Sequence, residues 1–224
     1  MSDPIDELFI LPPCDQPLEI LHKDASFLLV NKPGGLLSVP GRHPRNRDSV
    51  IARLQSDYPQ AAIVHRLDFD TSGIMVVPLG KEALSHISRQ FQARSVNKSY
   101  TAVVQGLVEA DEGSIDLPIA PDLDHRPKYK ICHQQGKPSL THYQVLHRDE
   151  VLRQTRLLLH PVTGRSHQLR LHLWAVGHPI LGCPFYAQGE SASLAPRLLL
   201  HATHLEFEHP LTGKRVRGES LPSF

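Results

Sequence analysis

Short runs of apolar and β-branched residues, separated by polar turns, recur along most of the chain. Such runs are typical of β-strands. They predict strands at residues 62–65, 73–78, 100–105, 113–119, 128–133, 141–146 and 152–160, two more within 18–31, and a closing hairpin from 198–207 and 214–218. The hairpin is predicted because Pro210 and Gly213, between its two strands, favour a turn.

Other segments have apolar residues at helical spacing instead. They predict helices at residues 48–58, 81–94 and 166–176. Asp48 is the expected N-cap of the first helix, and Gly177 is the expected stop of the third. Many strands and few helices, not in strict alternation, predict an α+β fold with a mixed, mainly antiparallel sheet and flanking helices and loops.

Composition adds limits to this picture. The chain has 224 residues, of which 40% are hydrophobic and 21% charged, as in ordinary folded proteins. No apolar stretch approaches the roughly 18 residues of a membrane-spanning helix, and residues 1–17 lack the basic flank and apolar centre of a signal peptide. We therefore expect a loose acidic leader at 1–17, one domain at 18–224, a monomer, no membrane contact and a cytoplasmic location.

Cysteines and histidines give little support for a metal site. The three cysteines, Cys14, Cys132 and Cys183, are widely spaced and form no C-x-x-C pair. Among 15 histidines, the closest pairing is His201 with His204, which has no cysteine nearby and no H-E-x-x-H pattern. We predict no bound metal and no disulfide framework.

The net charge of +1 hides an uneven distribution. Residues 1–24 hold six acids and one base, and residues 109–124 hold six acids and no base. The rest of the chain has 23 bases against 11 acids, a net charge of +12. This pattern is compatible with a surface that binds a polyanion, and equally with evenly solvated charge.

Three segments combine residues that could carry chemistry. In residues 65–73 (HRLDFDTSG), Asp68 is either a functional carboxylate or one half of a structural ion pair with Arg66. In residues 164–172 (GRSHQLRLH), Arg165 precedes a helix start, which its charge opposes, so it needs an acid such as Asp68 or an anionic ligand. The alternative there is a basic helix start that faces RNA or solvent. Tyr100, at the start of a strand, is either a functional ring or a packed one.

These three segments, with three others, resemble the signature motifs of the RluA-type RNA pseudouridine synthases. Residues 65–73 are similar to the family's HRLDxxTSG, 31–36 to NKPxG, 98–106 to KxYxAxVxG, and 164–172 to GRxHQLRxH. The segments GHPILG (177–182) and LHA (200–202) follow in the expected order, so the resemblance runs from about residue 18 to the C-terminus. It implies the pseudouridine synthase fold, without an N-terminal S4 domain, for which 17 residues leave no room.

The resemblance implies a set of site residues. Asp68 would be the catalytic carboxylate, Arg165 the active-site arginine and Tyr100 the ring that stacks on the target base. Arg66 would fill the place of the uridine that is flipped out of the RNA. Further RNA contacts are expected at the following residues: His65, Arg42, Arg45, Arg47, Arg126, Lys128, Lys130, His167 and Arg170.

The implied reaction breaks the N1–C1′ bond of uridine and rejoins the base through C5, so it needs no cofactor. Whether Asp68 attacks C1′, adds to C6 or removes a sugar proton stays open. The resemblance is strongest to the branch that acts on both 23S ribosomal RNA and tRNA, and a single-substrate rRNA or tRNA synthase is the alternative. Two other hypotheses are a non-catalytic RNA-binding protein and a metal-dependent hydrolase built on Asp68, Asp70 and nearby histidines.

Overall fold

The computed structural model describes residues 9–186 and 193–224. In chain order its elements are β1 (Glu19–Lys23), β2 (Phe27–Lys32), α1 (Val50–Gln55), β3 (Ser72–Pro78), α2 (Lys81–Ala93), β4 (Asn97–Gln105), β5 (Glu112–Asp116), β6 (Ile119–Pro121), β7 (Tyr129–Ile131), β8 (Leu140–Asp149), β9 (Gln154–Pro161), α3 (Gln168–Ala175), β10 (Leu200–Glu208) and β11 (Arg215–Glu219). The chain divides into two compact units, Met1–Asn97 with Ala202–Leu221, and Lys98–His201 with Pro222–Phe224.

The first unit is built on neighbouring strands in the order β1, β2, β3, β10 and β11. β2 pairs antiparallel with both β1 and β3, and β10 pairs antiparallel with β11. β3 is buried along its whole length, as its continuous apolar sequence Gly73–Pro78 requires. Helix α2 buries Ala83 and Ile87, one turn apart, and leaves its polar face to solvent.

The second unit contains the antiparallel strands β4, β9, β8 and β5, side by side in that order, and a short ribbon of β6 and β7. Its core joins the inward residues of β4 and β9, such as Ala102 and Leu157, to Leu169 and Leu173 of helix α3. This packing fixes the helix that carries the GRSHQLRLH segment against the strand that carries Tyr100.

The predicted α+β architecture is confirmed, and most elements lie within two or three residues of their predicted bounds. The strand predicted at 62–65 is wrong, because those residues form a loop, which follows an isolated bridge between Ala61 and Leu79. The predicted cap of α1 is also wrong. Ser49 caps that helix by accepting a hydrogen bond from the Ala52 N–H, while Asp48 pairs with Arg53 at 2.6 Å.

The part of the leader that the structure describes, residues 9–17, is attached rather than loose. Asn46 accepts a hydrogen bond from the Leu11 N–H at 3.0 Å. Arg53 donates to the carbonyls of Cys14 and Gln16. The acids at positions 3, 6 and 7 lie outside the described residues. Within the described residues, none of the helices has both the length and the apolar character that a membrane crossing requires.

Candidate active site

Residues 65–71 form a loop that leads into β3. The Thr71 N–H donates to the Asp68 carbonyl at 3.1 Å, which closes a turn. Along this loop Arg66 is exposed, Leu67 is buried and Asp68 is partly buried. The buried Leu67 therefore anchors the loop, and Arg66 and Asp68 on either side of it are less buried.

A buried lysine lies beneath this loop. Lys32, at the end of β2, is 0% exposed, and its ammonium donates to the carbonyls of Pro33, Leu36 and Phe69 at 2.9, 2.7 and 3.0 Å. Burial lowers the pKa of Lys32 to about 7, an effect that the carboxylates of Asp68 and Asp70 oppose. The positive charge of Lys32 therefore acts on the proposed catalytic carboxylate from within the protein.

Two further contacts tie the same loop to residues 34–38. Ser38, which is 3% exposed, donates through Oγ to the Leu67 carbonyl at 2.8 Å and accepts from the Leu67 N–H at 3.1 Å. The Gly35 N–H donates to the Phe69 carbonyl at 2.9 Å. The residues on either side of Asp68 are thus fixed through their backbones. Neither Lys32 nor Ser38 was predicted from the sequence to be a site residue, although a lysine at the end of an apolar strand was a signal.

His65 is held inside the first unit. Its Nε2 accepts a hydrogen bond from the Val76 N–H at 3.1 Å, and its ring stacks on Phe91 of α2 with centroids 4.7 Å apart. The ring therefore joins the start of the loop to β3 and α2. This placement suits a residue that positions the loop, and the RNA contact expected for His65 stays a prediction.

Gly73 marks the point where the loop enters β3. Its φ of +119° lies in the region that favours glycine, and a Cβ at this position would collide with the backbone of Ala202 in β10. Two of the motifs found in the sequence, TSG and LHA, therefore meet in the first unit because glycine allows their backbones to approach each other.

Several arginines of the first unit are exposed. The described residues provide no hydrogen bond or ion pair to the side chains of Arg66, Arg42, Arg45 and Arg47. By contrast, Arg53 is held by Asp48. Exposed guanidinium groups without an acidic partner are suited to phosphate contacts, and Arg66 stands two residues from Asp68.

Tyr100 lies in β4 of the second unit. It is partly buried and pairs with Leu159 of β9 across the antiparallel ladder. Its neighbours on the same strand face, such as Ala102, are fully buried in the core. The ring therefore stands at the edge of that core, on a rigid strand.

Arg165 lies between β9 and α3. The backbone N–H of Arg165 donates a hydrogen bond of 3.0 Å to Gln168 Oε1. The same oxygen also accepts a hydrogen bond from the Thr163 hydroxyl. Its guanidinium makes two long contacts with the Pro138 carbonyl, at 3.4 and 3.5 Å. The backbone is thus well fixed, whereas the side chain is weakly held. Asp68 and Arg165 belong to different units, and their pairing stays a prediction.

His167 and Arg170 belong to an aromatic cluster. Arg170 is 1% exposed, and its guanidinium lies 4.9 Å from the ring centroid of Phe185. His167 has a φ of +56°, stacks on Phe185 and shares a hydrogen bond of 2.8 Å with Tyr186. The guanidinium of Arg170 is therefore buried within this cluster, and the RNA contact expected of Arg170 stays a prediction.

The three other basic residues of the second unit that were predicted to contact RNA lie near its surface. Arg126 is exposed and Lys128 partly exposed, whereas Lys130 pairs with Asp122 at 3.7 Å. Among the residues that the structure describes, there is no group of three or more His, Cys, Asp or Glu side chains arranged to hold a metal.

Comparison with known proteins defines the class of enzyme. The family model for RNA pseudouridylate synthase matches residues 26–175, and the chain belongs to this family. It resembles the human RNA pseudouridylate synthase domain containing 1 with a TM-score of 0.80 and 31% identity, over 95% of this chain and 86% of that one.

Two curated relatives have higher sequence identity to this chain than the human protein has. The chain is 52% identical over 203 residues to the dual-specificity RNA pseudouridine synthase RluA of Vibrio vulnificus, over 89% of this chain and 81% of that protein. It is 50% identical over 215 residues to the RluA of Escherichia coli K12, over 95% and 97% of the two chains. The chain is therefore an RNA pseudouridine synthase, an isomerase that acts on RNA.

Proposed function

We propose that this enzyme converts specific uridines of 23S ribosomal RNA and of tRNA anticodon stem-loops to pseudouridine, with Asp68 as the catalytic carboxylate. The observation that carries the proposal is the fixed loop around Asp68. Lys32 and Ser38 hold its backbone on both sides, as preorganised catalysis requires. The dual specificity named for its relatives supports both RNA classes.

Asp68 assists departure of uracil from the sugar, as a nucleophile or as a base. Lys32 places a buried positive charge that interacts with this carboxylate from within the first unit. Tyr100 provides a rigid ring on which the detached base stacks while it turns. No cofactor is needed, because the reaction changes neither the oxidation state nor the atoms of the substrate.

Two arginines of the segment 164–172 are candidates for the catalytic guanidinium. Arg165 was expected from the motif, and its guanidinium is weakly held. Arg170 is buried against Phe185 and Tyr186, and we favour it, because a cation in a site that excludes water acts on developing charge with little screening. Arg165→Lys then retains most of the activity, and Arg170→Lys loses it. The reverse result would return the role to Arg165.

The target base must leave its stack before Asp68 can reach it, at a cost of a few kcal/mol. Arg66 is exposed, and the described residues provide it with no partner. Its planar guanidinium can occupy the vacated position and contact a phosphate at the same time. We further propose that the protein works in the cytoplasm as a monomer.

The test is release of tritium from RNA that contains [5-³H]uridine, without added cofactor. The wild-type protein releases tritium, and Asp68→Ala releases none while still binding the RNA. Asp70→Ala is the matched control, because it removes a second carboxylate from the same loop. If release survives Asp68→Ala, or if EDTA abolishes it, the assignment is wrong.

The second candidate is a synthase of the same family with one substrate. Mapping pseudouridine in total RNA from a deletion strain separates the two. Loss of pseudouridine from both 23S rRNA and tRNA supports dual specificity, and loss from one class supports the single-substrate alternative.

A further inference from the structure

Lys98, at the start of β4, is a partly buried cation without a partner. The described residues provide no hydrogen bond and no ion pair to its ammonium. Burial lowers the pKa of Lys98, and no neighbouring carboxylate opposes the effect. A charge withdrawn from water in this way destabilises the free protein unless something else compensates for it.

The ammonium of Lys98 lies close to a glycine of another motif. Nζ of Lys98 lies 3.3 Å from the point that a Cβ on Gly164 would occupy. Gly164 does not have a positive φ, so its backbone conformation does not require glycine. The absence of a side chain at Gly164 instead leaves room for the ammonium beside an exposed stretch of backbone. Arg165 follows directly, so this corner of the second unit is positively charged.

Lys98 also stands next to the proposed base platform. Residues two apart on a strand share a face, at a spacing of about 6.6 Å, so Lys98 and Tyr100 point to the same side of β4. From this position, the flexible side chain of Lys98 can contact a chemical group of a ligand that is stacked on the Tyr100 ring. If the proposed function is correct, the stacked group is the flipped uracil, and the anion next to it is a phosphate of the RNA.

We propose that Lys98 binds one phosphate of the RNA next to the target uridine, in the space that Gly164 leaves open. The missing partner of the buried ammonium is then supplied by the substrate. The inference rests on the proposed function for the identity of the substrate. It adds a specific contact, because a lysine placed for protein stability would have its acid or carbonyl partner within the fold, as Lys32 does.

The test separates binding from stability. RNA affinity is measured for Asp68→Ala and for Asp68→Ala with Lys98→Met, using a tRNA anticodon stem-loop over a series of KCl concentrations. Lys214→Met is the control, because it removes one exposed lysine charge from a turn of the first unit. Lys98→Met weakens binding by about tenfold, as expected for one charge-assisted contact. It lowers the slope of log K against log[KCl] by about one, and the control has a smaller effect.

Two further measurements exclude a structural role. Lys98→Met does not lower the Tm of the free protein, since it removes a desolvated charge that has no partner. In the second measurement, single phosphates around the modified uridine are replaced by uncharged methylphosphonates. At one position, the wild-type protein and Lys98→Met should bind the RNA with equal affinity, because the phosphate that Lys98 contacts has lost its charge.

Three results would overturn the inference: unchanged affinity, a loss that persists at every methylphosphonate, or a fall in Tm that accounts for the lost binding. Absence of tritium release from the wild-type protein would overturn the proposed function instead. The difference in RNA affinity with and without Lys98→Met would still test whether Lys98 binds a phosphate.

Discussion

Replacing the buried Lys32 by methionine should change how stability depends on pH. The ordinary lysine pKa is 10.5, and in the folded protein burial lowers it to about 7. Because the folded pKa lies below the unfolded one, unfolding takes up a proton between these two values, and stability rises with pH across that window. Below pH 7 both states carry the proton, and the cost of the buried charge is fully present.

The magnitude follows from the two pKa values. One pKa unit corresponds to about 1.4 kcal/mol, so the full window is worth about 5 kcal/mol, and the part between pH 6.5 and 9.5 about 3 kcal/mol. Lys32→Met has no such gain, and it leaves the carbonyls of Pro33 and Leu36 without the lysine donor. The stability deficit of the variant is therefore expected to grow by about 3 kcal/mol over this range.

The assay is urea unfolding followed by far-UV circular dichroism at pH 6.5, 7.5, 8.5 and 9.5. Only the difference between wild type and Lys32→Met is interpreted, because other groups titrate equally in both. Lys214→Met, which removes an exposed lysine, should keep a constant offset from wild type. Parallel pH profiles for wild type and Lys32→Met would refute the reasoning.

Three shorter predictions concern the loop around Asp68. Ser38→Ala leaves the buried N–H and carbonyl of Leu67 without their partner, so it lowers stability by about 1–3 kcal/mol and reduces kcat more than it raises KM in tritium-release kinetics; an unchanged kcat would contradict this. Gly73→Ala collides with the Ala202 backbone and prevents stable folding, whereas Gly35→Ala, also at positive φ but with open space, costs about 1–2 kcal/mol by thermal unfolding. Arg66→Ala slows modification of a stem-loop more than of an unstructured oligonucleotide, relative to Arg42→Ala, and equal losses on the two substrates would argue against base flipping.

The elements that were predictable are those whose amino-acid pattern is local. Helix α2 and the hairpin of β10 and β11 were placed well, because apolar spacing and turn residues determine them within a few positions. The segment 62–65 has the same apolar character as a strand. It became a loop because His65 takes the Val76 N–H and stacks on Phe91, both of which are set by tertiary packing.

The functional residues also differ in whether the sequence or only the tertiary structure revealed them. The sequence by itself determined the class of enzyme, since the order and spacing of its motifs carry that information along the chain, and the catalytic role of Asp68 stays a prediction. Only the tertiary structure decided which side chains are buried. It placed Lys32 beneath the Asp68 loop, Arg170 inside an aromatic cluster and Lys98 beside Gly164. Burial and hydrogen-bond partners depend on residues far apart in the sequence, and a motif does not record them.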